Sequence, residues 1–192
     1  MVWAKAGSAT LSGSATSVDT DVSVNKFYQI LNHVITAGSG NIGTRYRFND
    51  DDGQKYSQMF RHDGGSVGTN VDQQQVFTEV NDADEDRFQI GYVFSISGEE
   101  KLGVNHLIET ATGVSAAPQR SETAFKYVPD PDATITNVKV FETVAGSFGS
   151  GTNLSVLGSD GTETLNVQDG AIYYDTDLNK EYVLYNNTWT EV

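Results

Sequence analysis

The chain carries three histidines, His33, His62 and His106, and no cysteine. Nucleophilic catalysis requires a base beside a hydroxyl or thiol, oriented by a third polar group. His33 and His106 sit in strand-like segments among apolar neighbours, where a histidine is ordinarily a hydrogen-bonded structural group. His62 stands in Arg61-His62-Asp63-Gly64-Gly65, a loop-like segment. No G-x-S-x-G elbow is present. A glycosidase needs two carboxyl groups across a cleft, whereas the acids here crowd into turn-like segments. These residues predict no catalytic centre, no enzymatic activity and no organic cofactor.

A hard cation is the more credible chemistry. Asn49, Asp50 and Asp52 before Gly53, or Asp82, Asp84 and Asp86, could set several oxygens around one Ca²⁺. Neither cluster matches the twelve-residue EF-hand loop and its closing Glu. The plainer reading is a solvated acidic turn. The glycine stretches Gly38-Ser39-Gly40 and Gly146-Ser147-Phe148-Gly149-Ser150-Gly151 lack the G-K-[ST] of a phosphate loop and read as flexible connections. Tyr173, Tyr174, Tyr182, Tyr185 and Trp189 form the densest aromatic group. Rings with polar tips suit protein interfaces and stack on sugars. Alternation sends about half of them to local packing, and the others are candidates for contact with a subunit or a glycan.

The elements that position these groups are strands. Gly, Ser, Thr, Asn and Asp interrupt the chain at short intervals, and no amphipathic helix is evident. Phe88-Gln89-Ile90-Gly91-Tyr92-Val93-Phe94-Ser95-Ile96 alternates large apolar with mostly small or polar residues. A period of two places the even set on one face of a strand, and the expectation is that this set covers a core. Gly98-Glu99-Glu100 joins it in a hairpin to Lys101–Thr110, where Leu102, Val104, His106 and Ile108 share a face. Lys26–Thr36 is apolar on both faces, as a central strand would be, and Val18–Val24 reads as an edge strand. Further strands are expected over Thr10–Ser14, Asn41–Phe48, Tyr56–Arg61, Val71–Val80, Ser121–Val128, Thr134–Val144 and Thr152–Leu157.

This pattern predicts an all-β protein. Residues 1–158 should form an antiparallel β-sandwich, with a jelly roll favoured over an immunoglobulin-like sandwich. Residues 159–192 should form a small C-terminal three-strand meander, marginal alone and expected to dock on the main domain or on a neighbouring subunit.

Composition narrows the partners. The net charge is −14, from 26 acidic and 12 basic residues. That repels nucleic acid and anionic membrane surfaces. No apolar run reaches the length of a membrane-spanning helix, so membrane insertion is not expected. Met1-Val2-Trp3-Ala4-Lys5 is not of signal-peptide type, and the absence of cysteine favours synthesis in a reducing cytoplasm.

The segment Gly170-Ala171-Ile172-Tyr173-Tyr174-Asp175-Thr176, then Tyr182-Val183-Leu184-Tyr185-Asn186 and Trp189, resembles a short β-motif of tailed-virus tail fibres and head fibres. The body is similar to virion proteins of marine and environmental tailed viruses. Val2-Trp3-Ala4-Lys5, Arg47-Phe48-Asn49-Asp50-Asp51-Asp52-Gly53, Tyr92-Val93-Phe94-Ser95-Ile96-Ser97 and Glu99-Glu100-Lys101-Leu102 carry that likeness. The resemblance implies a capsid-decorating, turret, fibre or tail protein, made in the host cytoplasm and resident on the virion. It would form a homo-oligomer, with a trimer favoured, and bind other virion proteins such as the major capsid protein. The alternative is a carbohydrate-binding or receptor-binding module on the virion surface, with a host glycan as ligand.

Overall fold

The structure, a computed structural model, describes residues 3–37, 43–78, 85–110, 114–115, 117–130, 133–143, 147–160, 170–175, 179–185 and 188–192, with Tyr173, Asp175 and Tyr185 described by backbone alone. The chain divides into two compact units, Met1–Gly161 and Thr162–Val192. All paired strands run antiparallel.

In the first unit the strands are β1 (Ala4–Thr10), β2 (Ser17–Asp21), β3 (Phe27–Val34), β4 (Arg45–Phe48), β5 (Tyr56–His62), β6 (Gly68–Gln73), β7 (Val76–Phe77), β8 (Arg87–Phe94), β9 (Lys101–Glu109), β10 (Gln119–Tyr127), β11 (Asn137–Phe141) and β12 (Asn153–Ser159). Eight of them form one sheet in the order β1-β12-β3-β8-β9-β10-β5-β6, and four form a second in the order β2-β11-β4-β7. The edge position expected for Val18–Val24 is that of β2, and the long two-faced strand β3 lies inside the large sheet between β12 and β8. The hairpin across Gly98-Glu99-Glu100 joins β8 to β9, and Gly98 takes the positive φ of 77° that its turn requires.

Two expectations at the ends of strands are corrected. The first strand is Ala4–Thr10, not Thr10–Ser14. Its pairing with β12, through a register irregularity between Lys5 and Gly7, overrides a weak local pattern. His62 belongs to the end of β5, paired with Ser121, and not to a loop.

One apolar core draws on both sheets. Tyr28, Ile30 and Val34 of β3, Leu154 and Val156 of β12 and Phe125 and Tyr127 of β10 belong to it, as do Tyr46 and Phe48 of β4 and Val138 and Val140 of β11. Tyr56 and Tyr127, register partners on β5 and β10, stack with ring centroids 4.7 Å apart, and Phe48 lies 5.8 Å from Tyr127. Gly103 makes room for the Phe125 ring opposite it, since a Cβ there would come within 2.2 Å of the ring.

The principal correction concerns the sense of β8 and β9. Arg87, Gln89, Gly91 and Val93 are the inward residues of β8, while Phe88 and Tyr92 are exposed and Ile90 and Phe94 partly so. On β9, Lys101, Asn105, Leu107 and Glu109 are buried, and Leu102, Val104, His106 and Ile108 face out. The alternation is as expected but its polarity is inverted. The neighbours impose this: β3 sends Tyr28, Ile30 and Val34 inward, and the ladder carries that orientation to β8 and β9.

Two sets of buried polar groups are paired across strands and sheets. Gln89 donates through Nε2 to the hydroxyls of Thr44 and Thr78 (2.8 Å to Thr78), and its Oε1 accepts from Asn32 at 3.3 Å. The two hydroxyls lie 2.9 Å apart. Gln89 and Asn32 sit on the large sheet, whereas Thr44 and Thr78 flank β4 and β7, so this polar bridge ties the sheets together. Arg87 and Glu109, both buried, form an ion pair. The buried Lys101 ammonium donates to the carbonyls of Ile96 and Glu99, the latter at 2.8 Å, and so holds the hairpin loop.

The second unit is a three-stranded sheet of β13 (Ile172–Asp175), β14 (Lys180–Tyr185) and β15 (Thr188–Glu191), in that order.

Candidate functional site

The inversion of β8 and β9 creates the main surface feature of the first unit. Outward positions along β3, β8 and β9 are Phe27, Leu31, Phe88, Ile90, Tyr92, Phe94, Leu102, Val104 and Ile108, aligned by register as Phe27–Phe94–Leu102, Leu31–Ile90–His106 and so on. Phe88, Tyr92, Leu102, Val104 and Ile108 are each between 43% and 53% exposed. Isolated exposed apolar residues are ordinary, but a contiguous set across adjacent strands marks an interaction surface.

The face is not smooth. Trp3, Phe27, Tyr92, Phe94, Leu102 and Val104 line a depression of about 360 Å³. A second, of about 280 Å³, lies between Met59, Val67, Val104, His106 and Ala124. A third, of about 190 Å³, is bounded by His33, Phe88, Ile108 and Pro118. All three open on the same side of the large sheet. Their walls are mostly carbon, so they suit apolar side chains, and Tyr92 supplies a polar edge by accepting a hydrogen bond from Gln29 at 3.1 Å.

Charge on this face is sparse. Among outward strand positions from β1 to β5 across the sheet, Glu122 is the sole acid in a chain of net charge −14. Arg61, Arg120 and Lys126 stand on β5 and β10, with Lys126 paired to Glu100 at 3.2 Å, and Lys5 stands at the edge on β1 beside its register partner Leu157. Sequence reasoning found the residues of this surface but assigned them to the interior. The available signal was their excess over what one core needs, together with Arg87, Lys101 and Glu109 at alternating positions.

The candidate cation ligands are engaged elsewhere. The Asn49 side chain accepts from the Thr136 amide at 2.8 Å and donates to the Thr134 carbonyl at 2.8 Å, with its backbone at a φ of 56°. Asp50 pairs with Lys139 at 2.9 Å. Asp52 is exposed. Asp51, between them, accepts from the Gly53 amide at 3.0 Å and from the Tyr127 hydroxyl at 2.9 Å. Burial would raise its carboxyl, but these bonds and Lys55 outweigh that and hold it below the usual range. Asp82 and Asp84 lie outside the described residues, and Asp86 accepts from the Thr36 amide at 3.0 Å. Among the described residues no three acidic or histidine side chains gather to hold a metal. His33 and His106 both lie on the outward face, on different strands, and His62 packs its ring 5.1 Å from Phe60.

In the second unit the aromatic group is divided. Tyr182 and Trp189 fall on one face with the buried Leu184, which is the register partner of Trp189. Tyr174, half-exposed and paired with Glu181, falls on the other and donates to Asn179. The side chains of Tyr173 and Tyr185 lie outside the described residues.

No protein-family model, curated protein or solved structure matches the chain.

Proposed function

We propose that this is a non-enzymatic assembly protein of a tailed-virus particle, acting through the outward apolar face of its large sheet. One observation carries the reading: β8 and β9 keep Arg87, Lys101 and Glu109 inside while Phe88, Tyr92, Leu102, Val104 and Ile108 look outward. Burying paired charge is at best neutral for stability compared with an apolar interior. Leaving that much apolar surface in water is unfavourable by about 25 cal/mol per Å². A partner that covers the face recovers that free energy, which supports an assembly role. The viral setting rests on the fibre-like motif around Tyr173, Tyr182 and Trp189 and on the likeness of the body to virion proteins. We read the eight- and four-stranded sheets as layers of a jelly-roll-like sandwich, a reading supported by their shared core and by the Gln89 bridge. The protein would form homo-oligomers and contact other virion proteins, among them the major capsid protein.

Mass spectrometry of gradient-purified tailed particles from an infected culture tests this. Peptides of the chain recovered in fixed proportion to the shell proteins are the expected result, and their absence from particles sinks the reading. The exposed Tyr174 and Trp189 rings favour a second role, glycan binding at the virion surface. A glycan array separates the two, because specific binding lost on Trp189→Ala points to a receptor module.

A further inference from the structure

We infer that the occupant of the outward face is a second copy of this chain, packed sheet to sheet about a two-fold axis parallel to β8 and β9. The inference rests on the assembly reading and names its partner. Size is the first argument. The face spanned by β12, β3, β8, β9, β10 and β5 measures about 29 Å across strands and about 26 Å along them. Two such faces pressed together remove about 1,500 Å² from water, within the range of specific interfaces.

Charge is the second argument, and it selects the axis. Outward charges gather on one half of the face, with Arg61 on β5 and Arg120, Glu122 and Lys126 on β10. The corresponding half on β3 and β12 presents Phe27, Gln29, Leu31, His33, Asn153, Ser155 and Leu157. An axis across the strands would lay Lys126 over Arg120 of the second copy. An axis along the strands, between β8 and β9, lays the charged strands β10 and β5 over β3 and β12, whose outward positions carry no lysine, arginine or acid. Lys126 then covers the Phe27 ring, a cation–π arrangement, Val104 meets Tyr92, and Met59 meets Leu157. The chain's acids do not oppose this, because Glu122 alone among them occupies an outward strand position there and Glu100, in the hairpin loop, is already paired with Lys126. Two twisted sheets pack face to face pairwise at about −30°, which gives a dimer for this contact in place of the trimer expected from the virion role.

The test uses the full chain. Sedimentation velocity at micromolar concentration should give twice the 20.8 kDa chain mass. Val104→Glu, at an exposed position that leaves the core intact, should weaken association at least about tenfold. Asp19→Lys, a charge change on the outward side of β2, should not. Met59→Cys with Leu157→Cys in one chain tests the axis, since the native chain is free of cysteine. Within a chain these positions are five strands, about 24 Å, apart, too far for a disulfide. A covalent dimer on mild oxidation, absent from either single variant, is the expected result. A monomeric wild type, or a dimer indifferent to Val104→Glu that does not cross-link, overturns the inference. If the wild type is monomeric but Val104→Glu abolishes binding to purified particles, the two-copy inference falls and the assembly reading stands. If particle binding is also unchanged, both fall.

Discussion

The guanidinium of Arg87 meets the carboxylate of Glu109 directly across the β8–β9 register, and both side chains are shut off from water. The pair holds the inward side of two strands whose apolar side chains look outward. Removing one partner strands the other in a medium that solvates it poorly. Arg87→Met should therefore destabilise the first unit by about 3–5 kcal/mol, whereas Arg87→Met with Glu109→Leu should recover most of that loss. Urea unfolding of the three proteins checks both values, and equal losses for the single and double variants would show that the pair does not act as a unit.

The Gln89 bridge gives an expectation of the same kind for the contact between sheets. Gln89→Leu keeps the volume but leaves Thr44, Thr78 and Asn32 without their shared partner. A loss of about 1–3 kcal/mol is expected. Hydrogen exchange should report faster opening at the Thr78 amide, which donates to the Thr44 carbonyl at 3.0 Å.

Gly103 should tolerate no side chain. Gly103→Ala drives a methyl into the Phe125 ring, which is itself packed 5.9 Å from Phe48. Overpacking of this kind is worth about 1–3 kcal/mol. Pairing it with Phe125→Leu should restore part of the loss, and thermal unfolding of both variants measures it.

Asp51 makes stability depend on acid. Its folded carboxyl titrates below the unfolded value of about 3.9, so its contribution is fully present above that value. It is lost as pH falls through the lower, folded one. Asp51→Asn should lower the urea midpoint at neutral pH, and the gap to wild type should close as the pH falls below the ordinary carboxylate range. A gap of constant size would mean that the bonds from Gly53 and Tyr127 do not favour the charged form.

Much of the architecture was legible in the residues. The two-faced pattern of Lys26–Thr36 marked an interior strand, and the turn at Gly98 marked the β8–β9 hairpin. Periodicity also identified which residues of β8 share a face. It could not identify which face is inside, because that depends on pairing with β3 and β10, set by contacts distant in the chain. Hydrophobicity then pointed the wrong way, since Arg87 and Glu109 become tolerable inside only through each other. The outward site was therefore visible as a set of residues and invisible as a surface. Asn49 is a similar case. Its partners at Thr134 and Thr136 are remote in sequence, and only the folded chain reveals the side chain as a latch for that loop.

The inverted polarity of β8 and β9 separates two selective pressures that compete in most sheets. Phe88, Tyr92, Leu102, Val104 and Ile108 contribute little to the first unit's interior, so the demands of contact and the demands of folding fall on different residues of the same two strands. A change of contact preference can thus arise at these five positions over an unaltered framework held by Arg87, Gln89 and Glu109.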